Sequence, residues 1–321
     1  MHNTEHFSLI IPPELAGERL DQALAKMVPA YSRTQIQGSI AAGSVLVNNR
    51  PAKGNLRLKG GEAITMEMVI TPRVDWEAQN IPLQIVHEDN SVIIINKPAG
   101  LVVHPGAGNQ NSTLLNALLH HAPSLNALPR AGILHRLDKE TSGLLAIAKT
   151  AEALKSLSSQ LKKRTLLREY QAIVYGTMIS GGVVDAAIDR HHTQRKRMAV
   201  DETGKRAVTH YRVAEKFRAH TRLKLRLETG RTHQIRVHMS HIDHPIVGDV
   251  LYGGRVQLTK GMIAPLVQAI RGFKRQALHA FAIGFDHPET DEFMRFEIDL
   301  PEDMTRLLEA LREDLNNGIR K

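Results

Sequence analysis

The stretch GILHRLDKETSGLLAIAKT, residues 132–150, decides how the rest of the chain is read. Its second half, Leu144-Leu145-Ala146-Ile147-Ala148, is an unbroken apolar run of strand length, the pattern of a strand covered on both faces. Its first half crowds His135, Arg136, Asp138, Lys139 and Glu140 into a few positions, so it reads as a polar loop delivered onto a buried strand. Such loops carry function. Asp138, set between Arg136 and Lys139, is expected to stay ionised, which suits a nucleophile or base better than an acid. The bland alternative is an Asp that caps its own turn.

Working outward, Val92-Ile93-Ile94-Ile95 is a second continuous apolar run and Tyr170-Gln171-Ala172-Ile173-Val174-Tyr175 a third. Leu223, Leu225 and Leu227 alternate with Lys224 and Arg226, as in a half-exposed strand. Helices are expected at 112–121, 151–163, 232–241 and 302–315, and the polar tail DLNNGIRK is expected to fray. Strand runs without regular strand-helix alternation predict an α+β fold, with a mixed, mainly antiparallel central sheet flanked by helices. The chain shows no internal repeat. Residues 71–84, with Pro72 and Pro82, read as a linker between a small module at 17–70 and a large domain at 85–321.

In the small module, Leu20, Ala23, Leu24 and Met27 fall at helical spacing and Pro29 ends that helix. Ser32 is the expected N-cap of a second helix that closes at Gly43. A short strand, Val45-Leu46-Val47, then turns at Asn48-Asn49-Arg50. Residues 17–66 hold seven Lys and Arg against three acidic residues. With RLDQAL, SRTQIQGSI and GSVLVNNRPA, this pattern resembles the S4 RNA-binding domain, which makes Arg19 and Arg33 expected RNA contacts. The alternative is a small helical cap with a solvated basic face.

Composition sets the outer limits. The 321 residues are 42% apolar and 23% charged, ordinary for a folded protein of about two domains. Cysteine is absent, which excludes disulfides, thiolate nucleophiles and Cys-based zinc sites. The first residues form no secretory signal, and no apolar run reaches the roughly 18 residues of a membrane span, so a cytoplasmic protein is expected. The formal charge of +9 points to a polyanionic partner. Part of that charge concentrates at 190–197, RHHTQRKR, where Arg195, Lys196 and Arg197 are expected on RNA phosphates and a solvated hairpin is the alternative.

HRLDKETSGLLAIAKT closely resembles the catalytic motif of the RluA-type pseudouridine synthases, in which the Asp is the essential residue; here it is Asp138. Other motifs of that family follow in order. INKPAGLVVHP, 95–105, resembles the first, whose Lys97-Pro98 turn packs below the site. REYQAIVYG, 168–176, supplies Tyr170 at the position of the active-site tyrosine. LETGRTHQIRVHMSHIDHPIVGDVLYG, 227–253, resembles the third, whose first arginine, Arg231, is expected to pair with Asp138. The likeness runs to RQALHAFAIGFDHP at 275–288.

The resemblance implies isomerisation of uridine to its C-glycoside: the N1–C1′ bond breaks, the base turns, and C5 takes its place and loses a proton. No redox step or group donor is involved, so no cofactor or metal is expected. Asp138 would start the reaction by attacking C1′ or by removing a ribose proton, and the sequence leaves both open. Tyr170 would stack on the uracil and serve in the C5 deprotonation, although a phenol of pKa about 10 is a poor base unless its surroundings lower that value. Arg136 would read or replace the flipped nucleotide, and His135 would stack or meet phosphate.

His233, His238, His241 and His244 do not read as a zinc site, because HExxH spacing and Cys are both lacking. Gly106-Ala107-Gly108 is too short for a nucleotide-binding loop. By the same resemblance the substrate would be 23S rRNA of the large ribosomal subunit, in a subunit-interface stem-loop, supporting ribosome assembly. Nothing in the sequence demands a dimer, and a monomer is expected. A tRNA or another rRNA site, or RNA binding without chemistry, are the alternatives.

Overall fold

The computed structural model describes residues 4–29, 31, 33–69, 76–106 and 108–319, in two compact units that divide after Asp75. The expected N-cap Ser32, Ala107 of the glycine motif and 71–75 of the expected linker lie outside the described residues.

The first unit has a four-stranded sheet in the order β1-β4-β2-β3, from β1 (Thr4–Ile10), β2 (Val45–Val47), β3 (Arg50–Pro51) and β4 (Ala63–Val69). Two helices, α1 (Leu20–Met27) and α2 (Arg33–Ala41), close its core, in which Leu20, Leu24, Ile36, Val45 and Met66 are buried. The Asn48-Asn49 turn takes positive φ at both residues, the conformation a tight hairpin needs.

In the second unit the segment before the sheet is laid down as well. The Asn116 side chain donates to Glu77 O at 2.8 Å and Gln79 N donates to Asn116 O at 3.0 Å, so 76–84 is not a free tether. The sheet begins with β5 (Ile85–Glu88) and β6 (Val92–Lys97) and continues, after α3 (Leu114–His121), with β7 (Ser142–Ala148). Next come α4 (Ala151–Lys163), β8 (Leu167–Tyr175), β9 (Gly182–Asp185) and a small hairpin, β10 (Ile188–Arg190) with β11 (Met198–Val200). Then follow β12 (Val208–Lys216), β13 (His220–Leu227), α5 (Gln234–His241), α6 (Ala264–Gly272), β14 (Leu278–Asp286), β15 (Phe293–Glu297) and α7 (Glu302–Ile319).

The strand order is β5-β6-β7-β14-β8-β13-β12-β9, with β15 on β14. β7 and β14 pair parallel and the other ladders of this sheet are antiparallel. The apolar runs follow from burial on both faces. Ile93, Ile95, Leu145 and Ile147 enter one core with α3, α5, α6 and α7, while Val92, Ile94, Leu144 and Ala146 enter another under α4. Each such Val, Leu or Ile side chain contributes about 1.5–3 kcal/mol on leaving water.

The tail does not fray before Ile319, contrary to the sequence reading. Asp314 is buried, accepting from Ile263 N at 2.9 Å and from Arg218, so the polar DLNN segment is tied into the helix bundle. The unforeseen α6 supplies that contact.

Candidate active site

Two glycines fix the loop that carries Asp138. Gly132 has φ +76° and a Cβ there would lie 1.9 Å from Ala148 O; Gly143 has φ +119° and a Cβ would lie 2.2 Å from Ala280 O. Only glycine lets both ends press onto neighbouring backbone. Between them Thr141 N donates to Asp138 O at 3.0 Å, forming a turn. Lys97, fully buried, donates from Nζ to Pro98 O, Leu101 O and Lys139 O at 2.6, 3.0 and 3.0 Å, fastening the residue beside Asp138 from below. Burial lowers the Lys97 pKa to about 8, against the pull of Glu140 and Asp138. Arg275 donates to Glu140 O at 3.3 Å and Gln276 to Thr141 Oγ1 at 3.0 Å.

The guanidinium at Asp138 is Arg236, not Arg231: Arg236 Nη1 donates to Asp138 Oδ2 at 3.0 Å. Arg231 is exposed and donates from Nε to Arg206 O at 3.1 Å, while lining the same cavity. The reason is positional. Arg231 precedes α5 on the turn after β13, whereas Arg236 lies within the helix and its guanidinium is oriented by Asp249, which accepts from Nε at 2.7 Å and Nη2 at 3.0 Å. Asp249 is buried and also accepts from Leu251 N and Tyr252 N. The Tyr252 ring lies under the Arg236 guanidinium, 4.9 Å away. Burial opposes the charge on Arg236, but Asp249 and Asp138 outweigh it and raise its pKa above the ordinary value.

Asp138 Oδ1 lies 3.9 Å from His233 Nε2, and the Asp138 side chain keeps 17% of its surface open. Around it is a cavity of about 920 Å³ lined also by Tyr170, Arg136, His135 and Arg168. Tyr170 is 5% exposed, and burial pushes its phenol up to about 12, with Arg168 working against the shift and Asp138 with it. Its surroundings in the open site therefore disfavour a phenolate base. His135 accepts at Nε2 from Ala146 N at 3.3 Å, and burial lowers its pKa to about 3, so it is neutral. His104, in the same lining, is lowered to about 4 by burial, with Arg130 and Arg136 adding to the effect.

Of the basic run, Arg195 and Lys196 are exposed on the turn between β10 and β11 and are not in the cavity lining. Arg197 stacks on the Tyr252 ring at 5.3 Å. In the first unit Arg19 and Arg33 share one buried carboxylate. Asp21 accepts from Arg19 Nε at 3.0 Å, Arg33 Nη2 at 2.7 Å and Gln37 Nε2 at 2.6 Å. Burial works against this carboxylate, yet these donors hold its pKa at about 2. The histidines have partners of their own: His238 meets Thr209 Oγ1 and Ala186 O, and His244 meets Tyr175 O.

The RNA pseudouridylate synthase model matches residues 91–241, and the S4 domain model matches residues 18–64. A protein of Yersinia pestis named ribosomal large subunit pseudouridine synthase D is 53% identical over 299 residues, covering 93% of this chain and 92% of its own. The chain belongs to the RNA pseudouridylate synthase family. A relative of the same name from Pseudomonas aeruginosa is 51% identical over 304 residues, 95% of each chain. The solved structure of human RNA pseudouridylate synthase domain containing 4 superposes with a TM-score of 0.58 at 28% identity, over 71% of this chain and 93% of that one.

As a pseudouridine synthase, the chain is an isomerase acting on RNA. Sequence reasoning missed Arg236, Asp249 and Arg168 in this synthase. An Asp inside the apolar run PIVGDV was the available sign that a buried cation waits for it.

Proposed function

We propose that Asp138 carries the isomerisation, acting on uridines of large-subunit ribosomal RNA. The observation that supports this most is the Asp138–Arg236 pair, held by Asp249, at the edge of a cavity shared with Tyr170. A target uridine flipped from its stack enters that cavity, at a cost of a few kcal/mol. Arg236 keeps one oxygen of Asp138 fixed and leaves Oδ1 for C1′ or the ribose proton. Tyr170 packs on the uracil, and Arg136, exposed at the cavity, takes the place of the flipped base or a neighbouring phosphate. Lys97 and Pro98 support the loop from below.

The unit matching the S4 domain grips RNA, with Arg19 and Arg33 presented as a pair by Asp21, and Arg195, Lys196 and Arg197 add phosphate contacts. The 23S assignment, a subunit-interface stem-loop and a role in ribosome assembly rest on the names of the relatives. A cytoplasmic monomer working without metal or cofactor completes the reading; no helix among the described residues is long and apolar enough to cross a membrane. The test is position-resolved pseudouridine mapping of total RNA from cells lacking the protein. Loss at specific large-subunit uridines, restored by the wild type alone and not by Asp138→Asn, supports the reading. Loss confined to tRNA overturns the substrate.

A further inference from the structure

We propose that Arg168 receives the negative charge of the departing uracil, binding its O2 or O4 as the N1–C1′ bond breaks. This rests on reading the cavity at Asp138 as the uridine site. Arg168 lies on β8 two residues before Tyr170, so both side chains leave the same face of the strand. It is 6% exposed and lines the cavity. Among the described residues no carboxylate pairs with it, whereas Arg236, Arg275 and Arg218 each have one. Its Nη2 reaches only Glu228 O, at 3.4 Å, and its Nε is enclosed without a partner. Gly230 leaves room for it, since a Cβ there would lie 2.6 Å from Nη1.

A buried guanidinium without a counter-ion is costly to the fold, and burial lowers its pKa. An anion that exists only during turnover explains why the position is left open. A second enclosed donor belongs to the same wall. His135 accepts at Nε2, which places its proton on Nδ1, and Nδ1 is also without a partner.

The chemistry supplies that anion. When N1–C1′ breaks, N1 keeps the electron pair and the charge spreads to O2 and O4, while C1′ bonds to Asp138 or loses its neighbouring C2′ proton to it. When C5 bonds to C1′, the anion's electron pair forms the new C–C bond while Asp138 leaves C1′ with its own pair or returns the proton to C2′. C5 then loses its proton, N1 gains one, the product is an isomer and Arg168 is again unpaired. Donors fixed where charge develops need no reorganisation during the reaction. A phosphodiester is the less fitting occupant. Exposed Arg136, Lys162 and Arg164 already stand in the cavity lining to meet it, while Arg168 is buried beside Tyr170.

The experiment is single-turnover kinetics of the full chain on a large-subunit rRNA transcript carrying uridine or 5-fluorouridine at the target. Loss of the parent nucleoside is followed in nuclease digests. Fluorine stabilises the uracil anion, so that substrate needs less help. Arg168→Met is expected to slow uridine by about 10²–10³-fold and 5-fluorouridine at least tenfold less, with RNA affinity unchanged, Tm unchanged or raised, and Arg168→Lys intermediate. Equal losses on both substrates, a loss confined to affinity with an altered salt dependence, or a variant that fails to fold each overturn the proposal. Asp138→Asn, run alongside, separates the two readings: if it stays active, the site itself is misplaced.

Discussion

Arg236 gives two hydrogen bonds to Asp249 and one to Asp138, so the carboxylate proposed to do the chemistry is held by a cation that is itself held by another carboxylate. Arg236→Met should abolish turnover and cost about 3–5 kcal/mol of stability, because Asp249 is then left buried and unpaired. Adding Asp249→Leu should restore most of the Tm and none of the activity. Denaturation and single-turnover assays on both variants separate the two effects. Recovery of activity in the double variant contradicts the account.

Tyr170 separates ring from hydroxyl. With a phenol pushed up to about 12, the ring is the dependable contribution to binding. The hydroxyl can take the C5 proton only where Arg168, which pulls this pKa down, outweighs burial once the uracil is seated. On that account Tyr170→Phe should keep RNA affinity within about threefold and lose about 10²-fold or more in C5 proton release, the size of a general acid–base contribution. Tyr170→Ala should lose both. Release of tritium from C5, beside a filter-binding assay, reads the difference.

Lys97, itself fully buried, donates to three carbonyls at once, one of them on the residue after Asp138. Lys97→Met should cost about 3 kcal/mol or more, since each orphaned polar group carries a desolvation penalty. It should also lower kcat more than it raises KM, as the Asp138 turn loses its support. An unchanged kcat in a folded variant would show that the loop is held elsewhere.

His220 is 1% exposed against the Tyr175 ring, and burial depresses its pKa to about 4. The folded state therefore refuses a proton that the unfolded chain accepts near 6.5, and stability present above that pH is lost as pH falls toward 4. His220→Phe should flatten the decline of stability across this window by up to about 3 kcal/mol. Parallel curves for the two proteins would refute it.

The doubly buried strands β6 and β7 were legible because every residue of 92–95 and 144–148 contributes to one core or the other, which leaves continuous apolar runs in the sequence. The Asp138 loop stood out for the opposite reason, polar groups next to such a run. Arg236 was not legible in the same way. Residues 234–239 of α5 are all buried, so no face marks the cation that turns toward Asp138, and the contact spans 98 positions. Preferring Arg236 to Arg231 within the same motif required knowing where the helix begins. Arg168 was hidden because an absent counter-ion has no signature in sequence. The tail misled for a related reason: Asp314 looks like solvent-facing helix until α6 is in place to receive it.

The most direct measurement is C5 tritium release from a large-subunit rRNA transcript by Asp138→Asn, after its fold and RNA affinity have been matched to wild type. Wild type should release one equivalent per target uridine and the variant none above background. Release by the variant within about tenfold of wild type would show that Asp138 does not start the reaction.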